Sequence, residues 1–342
     1  MKRKKLRVAV LMHPSTVPPE DPKNYSEREA YEWKTELDVM TTLRELGHDV
    51  KAIAVRDELS PIRTVIEEWQ PNIVYNLLEE FLGRQEFDHH VVSYLELMQV
   101  AYTGCNPRGL VLSRDKALSK KLLAFHHLVV PKFAVFERGR RVYRPKGLEF
   151  PLIVKSLVHE ASLGISQASI VESDEKLRER VAFIHQRNRT DAIAEQYIEG
   201  REFYAGVIGN VRLQVLPTWE LVFENMPPGA VPIATAHVKH DPEYQRRRGI
   251  YQQHAADLDE ALREHIVKTT KRITRILDLD AYNRIDYRLS ADGKLYFLEA
   301  NPNPDIARSE EFASAAEEAG IAYPALIQRV LDLGLQRAAA GR

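Results

Sequence analysis

The sequence predicts an α/β protein: a parallel, Rossmann-like first domain over residues 1–112, two α+β units over 113–205 and 206–335, and a tail at 336–342. Three features point there. Apolar runs alternate with helical segments up to about residue 110, the pattern changes near Ser113, and a strand–turn–strand segment stands near the end. Leu6 to Met12, Val50 to Val55 and Ile73 to Tyr75 are continuous apolar runs, as strands covered on both faces of a parallel sheet require. Between the first two, Trp33, Leu37, Met40, Leu43 and Leu46 form the stripe of a helix that stops at Gly47. Ser60 and Pro61 read as the cap and first residue of another helix. The stretch from His13 to Ser26, with four prolines, is longer than a packed connection needs and is expected to reach over a site.

From Ser113 a helix is expected to run to His127, followed by strands at Phe133 to Phe136 and Leu152 to Lys155 and a helix starting near Ser173. A strand from Ala192 to Tyr197 leads through Glu199-Gly200 into Glu202 to Ile208. A long helix over Asp259 to Leu277 carries Leu262, Ile266, Ile273 and Ile276 on one face, and the Ala/Gly-rich stretch after Leu335 is expected to fray.

A chain of 342 residues holds two or three domains with cores of their own. Its formal charge of -1 argues against a broad nucleic-acid-binding face, and no run approaches the ~20 apolar residues of a membrane span. The basic start, Met1 to Lys5, is followed by an apolar run that ends at His13-Pro14 without a cleavage signature, so it reads as a strand. Cys105 is the only cysteine, which excludes an intrachain disulfide and makes the reducing cytoplasm the expected compartment.

The most informative segment is Tyr282 to Pro304, where two alternating strands flank Asp292-Gly293, a strong hairpin signal. A two-residue turn there puts Asp286 opposite Glu299 and Arg284 opposite Asn301, all on one face. Opposed carboxylates destabilise a strand pair unless a cation lies between them. Two carboxylates and an amide, completed by phosphate oxygens, suit Mg²⁺. The alternative is a solvated face on which Arg284 and Arg288 neutralise the acids.

Arg284-Ile285-Asp286 followed by Glu299-Ala300-Asn301 has the form of the closing signature of the ATP-grasp superfamily, and the chain resembles its D-alanine:D-alanine ligase family over nearly its whole length. The resemblance implies an ATP-grasp fold, in which two α+β subdomains clasp ATP. It assigns two Mg²⁺ ions, with Mn²⁺ as an alternative, to Asp286, Glu299 and Asn301, and oxyanion stabilisation to Arg284. Lys116, in the stretch Leu95 to Leu123, matches the lysine of the family's M-D-K motif, and Lys155 matches one that contacts the α- and β-phosphates. In Ile193 to Phe203, Glu195 would accept from the adenine amino group, the backbone of Gln196, Tyr197 and Ile198 would complete the base edge, and Glu202 would hold the ribose. Lys239 matches a lysine that meets the γ-phosphate. Ser162 belongs to a segment, Ser156 to Ser166, that replaces the family's Gly/Ser-rich phosphate cover.

On the substrate side the likeness thins. Glu27, in Ser26 to Glu29, is the counterpart of the glutamate that receives the first substrate's ammonium. Asn76 to His90, with Glu79, replaces another family motif, and Asp305 stands where the family has a glycine whose N–H helps bind the oxyanion. Glu310 falls where the family's serine receives a carboxylate, with Arg308 and Ser309 beside it. The resemblance therefore implies ligation of a small-molecule carboxylate to an amine through an acyl phosphate, and it allows a homodimer. An ATP-grasp phosphotransferase and a non-catalytic ATP-binding regulator remain as alternatives.

Overall fold

The computed structural model describes residues 4–21, 25–159, 165–235, 238 and 241–341, and for Glu27, Arg28 and Pro242 the backbone alone. Its first sheet is parallel, in the order β2-β1-β3, from β1 (Arg7–Met12), β2 (Asp49–Ala54) and β3 (Ile73–Asn76). Val8 to Met12 are fully buried, as the unbroken apolar run requires. The loop after β1 forms a 3₁₀ turn at Pro14–Thr16 and leads to α1 (Glu27–Ala30) and α2 (Lys34–Glu45). The buried face of α2 differs from the expected stripe: Glu36, Val39, Met40 and Leu43 are buried, while Leu37 and Leu46 are half-buried. Apolar spacing could not reveal that a carboxylate turns inward. Ser60 is the first residue of α3 (Ser60–Thr64) rather than its cap, since its hydroxyl donates to Glu58.

After α4 (Asp88–Leu97), the single helix expected from Ser113 is two, α5 (Pro107–Arg114) and α6 (Lys116–Phe125). Asp115 separates them, in extended geometry, by accepting from the Ala117 and Leu118 N–H groups as an N-cap does. The middle sheet follows the order β4-β7-β5-β6, from β4 (Phe133–Phe136), β5 (Leu152–Ser156), β6 (Ile170–Val171) and β7 (Ala192–Gln196), and is antiparallel. α7 (Asp174–Arg187) packs on it, starts near Ser173 as expected, and is capped by that serine.

The last sheet runs β11-β10-β8-β12-β13, with β9 paired to β8. Its strands are β8 (Arg201–Ile208), β9 (Gln214–Val215), β10 (Trp219–Phe223), β11 (Ile250–His254), β12 (Tyr282–Leu289) and β13 (Leu295–Pro302). α8 (Pro242–Arg248) precedes β11, and α9 (Glu260–Ile276) is the long helix expected, capped by Asp259. Gly200 joins the two antiparallel sheets where no side chain fits: at φ +147° a Cβ would lie 1.9 Å from the Leu289 carbonyl oxygen.

The chain closes with α10 (Glu311–Glu318) and α11 (Tyr323–Ala339), so helix extends past Leu335 where fraying was expected. These helices return to the first sheet. Phe312, Leu326, Ile327, Val330 and Leu331 form one core with Val8, Val10, Met12, Ile73 and Tyr75. A parallel sheet needs cover on both faces, and residues 1–112 do not supply all of it. Among the described residues no helix is long and apolar enough to cross a membrane.

Candidate active site

β12 and β13 pair with Asp286 opposite Glu299 and Arg284 opposite Asn301, the expected partners. The route to that register differs. Leu289 pairs with Leu295, Ser290 N–H donates to the Lys294 carbonyl, and Ala291-Asp292-Gly293 form a three-residue loop with Gly293 at φ +79°. That shifts the register by one. A bulge between Asp286 and Tyr287 shifts it back: Tyr287 faces Phe297, Asp286 faces Glu299, and Leu298 is the extra residue. Without it the side chains of one strand would exchange faces.

On the shared face Arg284 grips Asp286 through Nε (2.7 Å) and Nη2 (3.0 Å), and Asn301 Nδ2 donates to Asp286 Oδ2 at 3.0 Å. Arg284 also donates to Glu311 of α10 and lies over the Tyr204 ring, 4.8 Å from its centroid. Burial opposes its charge, yet Asp286 and Glu311 hold its pKa well above the ordinary value. Lys116 Nζ stands 3.6 Å from Glu299 and donates to the His159 carbonyl at 2.7 Å.

A cleft of about 80 Å³ opens between β5 and β7 on one side and the last sheet on the other. Lys155, Glu195, Gln196, Tyr197, Ile198, Glu202, Asp286 and Glu299 all line it, with Ile153, Ile165 and Leu298 as apolar wall. Separate stretches of sequence thus meet at one place. Two expected contacts are already engaged. The Gln196 and Tyr197 N–H groups donate to the Lys132 and Pro151 carbonyls, and Glu202 accepts from Tyr204 (2.9 Å) and Arg288 (2.5 Å). Glu195, only 1% exposed, lies between Lys120 (2.9 Å) and Lys155 (3.1 Å). Burial pushes this carboxyl up, but the two ammonium groups hold it below its usual range.

A larger cavity, about 740 Å³, adjoins the hairpin and is lined by Arg284, Asn301, Glu79, Asp305, Ser309, Glu310 and Glu311, with Tyr204, Trp219 and Tyr251. Asp305 accepts from the Thr35 hydroxyl (2.8 Å) and the Ala307 N–H (2.9 Å), and Glu310 pairs with Lys34. Burial and neighbouring Asp305 hold the Glu310 carboxyl above its ordinary pKa despite Lys34. Arg308, expected beside the substrate, is turned away: its N–H donates to Asp38 and its guanidinium lies over Tyr323. Ser162 and Lys239 lie outside the described residues, as does the Glu27 side chain.

Three residues escaped the sequence reading. Lys120 had a usable signal, since it lies four residues after Lys116 on the same helical face. Glu311 had none beyond its neighbour Glu310. Glu36, in a neighbouring cavity of about 400 Å³ with Asp305, is pushed to a pKa of about 7 by burial, against the hydrogen bond from Thr16. A carboxyl raised in the fold binds more protons there than in the unfolded chain. Its contribution is therefore present below pH 4.5 and is lost as pH rises through about 7. Glu36→Gln is expected to remove that decline, on the order of 1–3 kcal/mol between pH 4.5 and 7, in urea unfolding compared with the parent. Parallel pH dependence in the two proteins would refute it.

The fold is shared with the D-alanine–D-alanine ligase from Bacillus anthracis complexed with ATP, at a TM-score of 0.77 and 19% identity, covering 99% of this chain and 100% of that one. It is the ATP-grasp fold, and the class is that of the ATP-dependent carboxylate–amine ligases. Residues 122–332 match the family described as D-ala D-ala ligase C-terminus, and the chain belongs to that family. It is 30% identical to the uncharacterized protein y4sG of Sinorhizobium fredii, over 87% of each chain. To the D-alanine–D-alanine ligase of Aquifex aeolicus it is 28% identical, over 90% of this chain and 96% of that protein.

Proposed function

We propose that this enzyme binds ATP in the smaller cleft, activates a substrate carboxylate as an acyl phosphate, and transfers the acyl group to an amine held in the larger cavity. The observation that carries this reading is the convergence of Lys155, Glu195 to Ile198, Glu202, Asp286 and Glu299 on one cleft, with Arg284 and Asn301 facing the next.

Among the described residues no group of three His, Cys, Asp or Glu is arranged to hold a metal. Two carboxylates and an amide on one face still fit ions that take their remaining ligands from phosphate and water, as Mg²⁺ does. Asp286, Glu299 and Asn301 would hold two such ions, Mg²⁺ or Mn²⁺, which when bound neutralise charge on the transferring phosphoryl oxygens. Lys116 and Lys155 bring positive charge to the triphosphate, with Ser162 and Lys239 assigned to its cover and its γ end by the resemblance. Arg284, held by Asp286 and Glu311, would stabilise the oxyanion formed when the amine attacks, an effect of roughly 3–4 kcal/mol per donor in comparable sites. Glu27 and Glu79 are assigned to the substrate ammonium.

The wall of the larger cavity carries Asp305, Glu310 and Glu79, and Lys34 is already paired to Glu310. A carboxylate-ended acceptor would meet like charge there, which favours an amine with a neutral or cationic far end. Ser309 and the backbone at Asp305, both on the wall of that cavity, are assigned to such an acceptor in this reading. A homodimer is proposed on the resemblance alone and a cytoplasmic location on the lone Cys105, and sedimentation tests the first.

The test is ADP release across paired panels of acids and amines, with hydroxylamine added to trap the acyl phosphate. Ligation predicts a hydroxamate with acid, ATP and hydroxylamine, and faster ADP release with amino-acid amides or diamines than with free amino acids. A stable phosphorylated product formed without any amine would favour a phosphotransferase instead.

A further inference from the structure

Lys120 has no part in that mechanism, yet it is 0% exposed where three elements meet. Carried by α6, its ammonium donates to the Leu298 carbonyl on the bulge of β13 at 2.5 Å and stands 2.9 Å from Glu195 Oε1 on β7. Lys155 of β5 reaches the other oxygen, Oε2, at 3.1 Å. Two buried ammonium groups therefore share one buried carboxylate.

The two lysines are not equivalent. Lys155 lines the smaller cleft and Lys120 does not. Burial holds Lys120 down, to a pKa of about 8, against the pull of Glu195, whereas Lys155 stays above its ordinary value because Glu195 and Glu299 outweigh its burial. Lys120 is the cation that stays clear of the cleft. The other faces the space where the reading above puts the nucleotide.

We propose that Lys120 is the resident counter-ion of Glu195, a positioning residue that frees Lys155 to turn from Glu195 toward the polyphosphate. Removing one member of a buried pair leaves an uncompensated charge, so a lone Lys155 would be held at Glu195 and lost to the phosphates. With Lys120 in place, Lys155 moves without stranding the carboxylate. The inference rests on the nucleotide reading of the cleft, and its test separates the two.

Lys120→Gln keeps a donor for the Leu298 carbonyl and removes the charge. In calorimetry on the full chain with Mg²⁺, it is expected to weaken ADP binding by about tenfold or more while adenosine affinity stays within about twofold. Adenosine has no phosphate for Lys155 to meet. Lys120→Arg should hold ADP affinity near the parent value, and Glu195→Gln added to Lys120→Gln, whatever it does to the base, should restore most of the parent ratio of ADP to adenosine affinity by releasing Lys155. Lys120→Met serves in place of Lys120→Gln if the latter does not fold, with the same pattern expected. Equal weakening of ADP and adenosine would make Lys120 a mere support for the cleft and overturn the proposal, as would unchanged ADP affinity. If the parent binds neither compound, the nucleotide reading itself fails.

Discussion

Asp286→Asn is expected to lower ATP-dependent ligation by about 10³-fold, equivalent to roughly 4 kcal/mol of transition-state stabilisation, with the protein still folded. The substitution keeps the shape of a side chain that accepts from Arg284 and Asn301 and is 3% exposed, so the packing of β12 is retained. What it removes is the negative charge that pairs Arg284 in the fold and that the proposal assigns to the metal ions. An amide also turns a donor toward the guanidinium, which displaces Arg284 from the face it shares with Asn301. Both losses fall on the charge-separated steps rather than on adenine recognition, so adenosine binding should change little. Steady-state ADP release beside adenosine calorimetry and circular dichroism checks it. Activity within tenfold of the parent would remove the hairpin from the mechanism.

The register of that hairpin was legible in the sequence although its premise was not. Asp292-Gly293 was expected to be the whole turn, whereas the loop holds three residues and the bulge at Leu298 compensates. A leucine that bulges has no compositional mark, but the alternation around it places Glu299 and Asn301 on the Asp286 face either way. Helix starts were legible for the same local reason: Ser173 and Asp259 stand where the helices were expected to begin and each accepts from an N–H three residues on, whereas the cap expected at Ser60 did not form. Contacts between distant segments were not. The cover that α10 and α11 give to the first sheet joins residues some three hundred positions apart, and no local pattern announces it. Lys120 and Glu36 escaped because charged residues on an amphipathic helix are ordinarily its solvent face. Here each turns inward to a partner from another element, and that partner decides its burial.

The buried charge cluster makes a second large effect expected, on stability. Glu195→Ala should lower the unfolding free energy by about 3–5 kcal/mol at neutral pH, since it leaves Lys120 and Lys155 side by side in the interior without their carboxylate. Glu195→Gln, which keeps acceptor oxygen near both, should lose less. The pH dependence separates ionic destabilisation from a simple cavity. Lys120 already sits at about 8 in the fold against 10.5 in the free side chain, so the unfolded chain binds the extra proton and stability gains as pH rises through that interval. Without Glu195 the attraction is gone, while burial and repulsion by Lys155 remain. The gain should then begin at lower pH, and the deficit relative to the parent should shrink between pH 6.5 and 8.5. Urea unfolding of both proteins at several pH values across that range measures it. A deficit that stays constant would mean that lost packing, and not two stranded ammonium groups, accounts for the damage.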